Sequence, residues 1–130
     1  MPNEEQNAQI EGFRESYREM LGFFPPRVAA RFEQLEEHAP EVLIAHEAWR
    51  AALIYPDALD QKTVQLMVLA ILASKLSDAA KLHGLAARRA GATDDELRAA
   101  INLASLFSGI SVANRLPVIM ADIDELEASL

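Results

Sequence analysis

The chain contains no cysteine, and that absence excludes more than any other feature. Disulfides, thiolate nucleophiles, thiol redox cycles, cysteine-ligated zinc and iron–sulfur clusters are all ruled out. Basic residues are also scarce, twelve against twenty acidic, for a formal charge of -8. Counterion release, which drives binding to a phosphate backbone, is then replaced by net repulsion, so neither nucleic acid nor an anionic membrane is an expected partner. The longest uninterrupted apolar run, Leu66 to Ala73, is eight residues, whereas a membrane-spanning helix needs about 20. The first residues, MPNEEQNAQIEG, are acidic and polar and lack the basic flank and apolar stretch of a secretory signal, which makes the cytoplasm the expected compartment.

The chain's 130 residues are 51% hydrophobic and 25% charged, the balance of a globular protein. The length fits one domain, residues 1–130, with 1–8 expected as a flexible amino terminus. Alanine is abundant, and six prolines and five glycines punctuate the chain, a composition that suggests helices with deliberate stops. Ile10, Phe13, Tyr17, Met20, Leu21 and Phe24 recur in steps of three and four, opposite Glu11, Arg14, Glu15 and Arg18. Gly22, Pro25 and Pro26 should end that helix. A second helix is predicted from Pro26 through Glu37, burying Val28, Phe32 and Leu35, and a third from Pro40 to about Tyr55, with Val42, His46, Trp49 and Leu53 on one stripe.

Asp60 is expected to cap a fourth helix through the amide of Lys62 or Thr63. Its body, VQLMVLAILA, is apolar on nearly every side and belongs in the middle of a bundle or of an oligomer. Ser77 is a candidate cap for a fifth helix running to Ala90, with Gly91 as its stop. Thr93 and Glu96 form a capping box that should start a sixth helix at Asp94, carrying Leu97, Ile101, Ala104 and Ser108 inward and bending near Gly109. Pro117 should force a last helix, Val118 to about Ala128, to begin afresh. No segment alternates with period two and no solenoid repeat is present, so the fold class is all-α.

Several stretches read together resemble the carboxymuconolactone decarboxylase family, which includes the AhpD-type alkylhydroperoxidases. They are LGFFP (Leu21 to Pro25), APEVLIAHEAW, LDQKTVQLMVLAILAS (Leu59 to Ser74) and, most specifically, KLHGLAARRAGATDDELRAAI with His83, Gly91, Thr93 and Glu96. The resemblance implies an AhpD-like bundle of about six to seven helices and a homo-oligomer, trimer or hexamer. Redox members carry a glutamate, a cysteine pair separated by two residues, and a histidine four residues after the second cysteine. Counting back from His83 puts the cysteine places on Ala79 and Leu76 and the glutamate place on Val64, with Gln65 the polar neighbour one residue on. Neither leucine nor alanine attacks a peroxide or resolves a sulfenic acid, so the peroxidase activity that family likeness would attach is disfavoured.

The decarboxylase branch acts on a carboxylated lactone without a cofactor. Its reaction needs a site that destabilises a carboxylate, stabilises the dienolate and returns a proton. His83 is the candidate acid/base, in a pocket near a subunit contact. It shares a helical face with Ala79, Ala86, Ala87 and Ala90, which either open space for a small acidic molecule or simply allow close helix packing. His46 is the second candidate titratable group, or else a core or interface histidine. His38 should sit at a helix end where the dipole favours a cation. Lys75, Lys81, Arg88 and Arg89 read as solvated charges, and Lys81 lies about 160 degrees around the helix from His83, against direct cooperation. No HExxH motif or clustered carboxylate set is present, and no metal or cofactor is expected. Two function classes stay open: a thiol-free lyase acting by acid/base chemistry, and a catalytically silent oligomeric binding or scaffold protein of the same fold.

Overall fold

The computed structural model describes residues 1–130, which form seven helices and no strand. They divide into two compact units, Met1–Pro56 and Asp57–Leu130. None of the helices is long and apolar enough to cross a membrane.

The first unit holds α1 (Glu4–Leu21), α2 (Pro26–His38) and α3 (Pro40–Ile54), with α3 packed against both others. Helix α1 starts within the segment expected to be flexible, because Asn3 and Gln6 close a reciprocal capping box (Gln6 N–H to Asn3 Oδ1, 2.8 Å; Asn3 N–H to Gln6 Oε1, 3.0 Å). It ends at Gly22, whose φ of 83° is the left-handed conformation that glycine adopts without strain. Ile10, Tyr17 and Leu21 are buried as their spacing predicts. Tyr17, Phe24 and Phe32 meet edge to face, with ring centroids 5.0 to 6.0 Å apart, the arrangement the ring quadrupoles favour.

Helix α3 has the predicted bounds but turns the other way. Leu43 and Glu47 are its buried residues. The stripe expected inside is exposed: Trp49 is 71% accessible and Leu53 59%, and Val42 and His46 lie on the same open side. Apolar periodicity gives the angular width of a stripe, and on a helix with so thin a polar face two stripes compete. The less apolar one won, because Glu47 finds polar partners inside.

In the second unit α4 (Gln61–Ser74) packs on α5 (Ala80–Arg89) and α6 (Asp94–Ser108), and α7 (Ile110–Ala128) packs on α5 and α6. Asp60 caps α4 through the Thr63 amide at 2.8 Å, and that hydrogen bond holds its carboxyl below the usual range. Helix α4 buries Val64, Gln65, Leu69 and Ala73 and leaves Met67 and Ile71 about half exposed, so one side does face outward. Gly84 lets α7 approach α5, since a Cβ there would stand 2.2 Å from Ile123 Cδ1.

Three local expectations are corrected. Helix α5 begins at Ala80 with Ala79 at its cap, and the Ser77 hydroxyl instead accepts from the Ala79 amide (3.2 Å), bracing the turn before the helix. Ser108 is exposed, because α6 ends on it. Pro117 lies inside a continuous α7 and starts nothing. The break falls at Gly109, whose φ of 101° only glycine adopts readily, and Pro117 forgoes one backbone hydrogen bond without ending the helix. The Thr93–Glu96 capping box forms as predicted, with both bonds at 3.1 Å.

Candidate functional site

The second unit places His83 in the first turn of α5, half-buried, with Nδ1 2.7 Å from Oε1 of Gln65 on α4. Gln65 is 1% exposed, and its Nε2 donates to Oε1 of Gln61, one turn earlier on the same helix, at 3.3 Å. The imidazole is therefore held at Nδ1 by a neutral carboxamide. Ala80, Ala86 and Ala87, all fully buried, hold the rest of α5 against the unit's core.

The turn ahead of His83 carries the two places where redox relatives have cysteine. Leu76 is half exposed and adopts a positive φ of 56°. For a leucine that conformation costs roughly 1–2 kcal/mol. Its carbonyl accepts from Arg115 of α7 at 3.2 Å. Ala79 caps α5, and its carbonyl receives the His83 amide at 3.5 Å. The backbone frame around the histidine is thus built, and its two side chains at those places are hydrocarbon.

Lys81 serves a different neighbour, as its angular offset from His83 predicts. With Asp122 and Glu125 of α7 and Ser129 just beyond its end, it lines a cleft of about 210 Å³. Arg88, expected as a solvated charge, is largely buried and binds three carboxylates: Asp124 at 2.7 Å, Asp94 at 3.0 Å and Glu127 at 3.7 Å. Burial opposes its charge, but hydrogen bonds to Asp124 and Asp94 more than offset that and raise its pKa further. It ties α5 to the start of α6 and the end of α7, a structural role. A groove of about 370 Å³ between α4 and α6 has an apolar floor of Leu66, Met67, Ala70 and Leu103, and a Lys62–Glu96 ion pair (2.8 Å) at its rim. Neither cleft is lined by His83.

The first unit contains a polar cluster that the sequence reading missed. Glu47, 2% exposed, accepts from the Tyr17 hydroxyl at 3.1 Å and lies 3.5 Å from the Arg31 guanidinium. Arg31 also donates to the Tyr17 hydroxyl at 3.4 Å, and the Arg50 guanidinium stacks 4.0 Å from the Tyr17 ring centroid. Burial, and then the hydrogen bond to Glu47, push the Tyr17 phenol well above its ordinary value. The available signal was Glu47 standing four residues after Leu43, on one inner line of α3. His46 takes no part in the cluster: it is exposed on the far side of α3. The two candidate histidines lie in separate units, His46 in the first and His83 in the second. His38 is in the last turn of α2, as expected, 3.8 Å from Glu37. No group of three or more His, Asp or Glu side chains is gathered in a way that could hold a metal ion.

The model of the carboxymuconolactone decarboxylase family matches residues 40–116. A crystal structure of a candidate carboxymuconolactone decarboxylase from Burkholderia xenovorans LB400 superposes with a TM-score of 0.75 at 22% identity, covering 95% of each chain. At that identity the likeness shows the AhpD-like fold. No curated protein matches the chain. The matched residues span more than half of the sequence and include the whole of α4 and α5, which carry Gln65 and His83. The chain belongs to the carboxymuconolactone decarboxylase family.

Proposed function

We propose that this chain is a thiol-free, cytoplasmic lyase of the carboxymuconolactone decarboxylase type, acting on a small carboxylated lactone by acid/base chemistry at His83. The observation that supports this most is the hydrogen bond between His83 Nδ1 and the Gln65 carbonyl oxygen at 2.7 Å, which orients the imidazole of a half-buried histidine without adding a charge. In the reaction the carbon–carboxylate bond breaks and carbon dioxide leaves. The electron pair passes into the conjugated lactone as a dienolate. The His83 imidazolium then delivers a proton to carbon, and solvent restores that proton. Proton transfer by a positioned side chain contributes about 10²–10⁴-fold to the rate.

The working form is an oligomer, trimer or hexamer. Supporting this, apolar side chains stand in the open on both units: Trp49 and Leu53 on α3, and Leu106, Phe107 and Ile110 at the α6–α7 corner, where Phe107 is 89% exposed. Large apolar side chains left in the open mark interaction sites where they group together. The test is release of carbon dioxide from carboxymuconolactone in deuterated water. The expected result is one solvent deuteron on the dienolate carbon of the lactone product that His83 protonates, and loss of turnover in His83→Gln. Absence of turnover by an intact oligomer would favour the silent scaffold reading, and hydroperoxide consumption with a thiol reductant would overturn both.

A further inference from the structure

We infer that Gln65, oriented by Gln61, holds the His83 imidazole as its Nδ1–H tautomer, so that Nε2 is the atom that takes up and returns the proton. The inference rests on the acid/base reading of His83 and supplies the reacting atom. A carboxamide has one donor end and one acceptor end. The Gln65 amide nitrogen donates to Gln61 Oε1 at 3.3 Å, which turns the carbonyl oxygen toward His83 at 2.7 Å. An oxygen only accepts, so Nδ1 carries the hydrogen. Neutral imidazole has a single N–H, and Nε2 is left with its lone pair. Because Gln65 is 1% exposed, the carboxamide has no solvated alternative rotamer to retreat to.

The arrangement also fits a cycle. Protonation adds a hydrogen at Nε2 and leaves the Nδ1–H to Gln65 bond intact, so both protonation states share one ring orientation. Gln65 stands one residue beyond the glutamate place of redox relatives. There it gives an acceptor of the same reach with no negative charge. It is a positioning residue, acting on the reaction through His83.

The test is nitrogen–proton correlation NMR of the histidine side chains in the full-length, substrate-free protein, at a pH where His83 is neutral. The expected result is a predominant Nδ1–H tautomer for His83. In Gln65→Met, which keeps the volume and removes the acceptor, the tautomers should become comparable; in Gln65→Glu, which restores an acceptor, Nδ1–H should predominate again. Gln61→Met should weaken the preference, and it decides the matter should Gln65→Met not fold. A predominant Nε2–H tautomer in the wild type, or an unchanged tautomer in a folded Gln65→Met, overturns the inference. Because no substrate enters the measurement, that failure is distinct from a failure to release carbon dioxide.

Discussion

Each unit buries one polar side chain in an otherwise apolar helix, Glu47 on α3 and Gln65 on α4, and the two are completed in opposite ways. Glu47 sits beside the Arg31 guanidinium and the Tyr17 hydroxyl, with the Arg50 guanidinium across the Tyr17 ring. Gln65, itself uncharged, is hydrogen-bonded to the Gln61 carboxamide and to the His83 imidazole. The difference decides what each cluster can do. A buried carboxylate is tolerated only while its cationic and hydrogen-bonding partners stay in place. Changing its protonation state or its neighbours therefore disturbs the fold. The Gln65 carboxamide holds Nδ1 of His83 without contributing a charge and leaves the other imidazole nitrogen uncommitted to Gln65, so under the proposed function His83 can gain and lose a proton there with the framework unchanged. The first cluster serves cohesion, and the second is where the proposed chemistry is located.

The largest expected effect tests the cohesive side. Glu47→Ala strips the Tyr17 hydroxyl of its acceptor inside the core and leaves a void, and should lower unfolding stability by about 3 kcal/mol. Because Arg31 is about one-third exposed and can turn to water, the figure lies below that for two fully buried ions. Urea denaturation measures it, and a loss under about 1 kcal/mol would break the contrast between the units.

Packing, and not charge, places His83 beside Gln65, and Gly84 tests that. An alanine Cβ would stand 2.2 Å from Ile123 Cδ1 and 2.8 Å from its Cγ1. Gly84→Ala should cost about 2 kcal/mol and shift the His83 side-chain resonances as α5 gives way. A stable variant with unmoved resonances would show that the α5–α7 contact does not position His83.

A smaller effect of opposite sign is expected one turn upstream. Leu76→Gly relieves the positive φ of 56° while giving up an exposed side chain, and should stabilise the chain by about 1 kcal/mol. A Tm below that of the wild type would show that the leucine side chain is needed at that turn.

Smallest is a surface effect that separates exposed from buried charge. The Lys62 ion pair, followed by the Thr93 amide, holds the Glu96 carboxyl below its ordinary value of 4.5. A lowered carboxylate adds stability above its unfolded pKa, and that stability is lost as pH falls through the folded value. Glu96→Gln should accordingly flatten the fall of Tm in acid below about pH 4.5 and lower Tm slightly at neutral pH. An unchanged acid profile would remove this pair from the account.

Much of the fold was legible because it is written in local chemistry. Asp60, the Thr93–Glu96 box, Gly22 and Gly91 mark helix ends through hydrogen bonds within a few residues, and the same bonds appear in the structure. Where two local rules competed, the sequence misled. At the junction of α6 and α7, Pro117 looked the stronger breaker, yet a proline loses one hydrogen bond whereas Gly109 changes the direction of the backbone. On α3 hydrophobicity alone chose the stripe of Val42 and Trp49, since the partners that make Glu47 buriable come from α1 and α2, far away in sequence. The candidate site was legible only in part: the sequence singled out His83, with the GAT turn that follows it, and named Gln65 only as the polar neighbour of the glutamate place. The hydrogen bond between them depends on how α4 and α5 pack, which no local pattern reports.

The most direct test of the contrast is a paired measurement on His83→Gln: unfolding stability and carbon dioxide release from carboxymuconolactone, in the same preparation. The account predicts a stability change within about 1 kcal/mol, the usual worth of one hydrogen bond at a half-buried side chain, with turnover falling about 10²-fold or more. A variant that unfolds while its folded fraction retains full turnover would contradict it, because His83 would then be holding the helices together and not moving a proton.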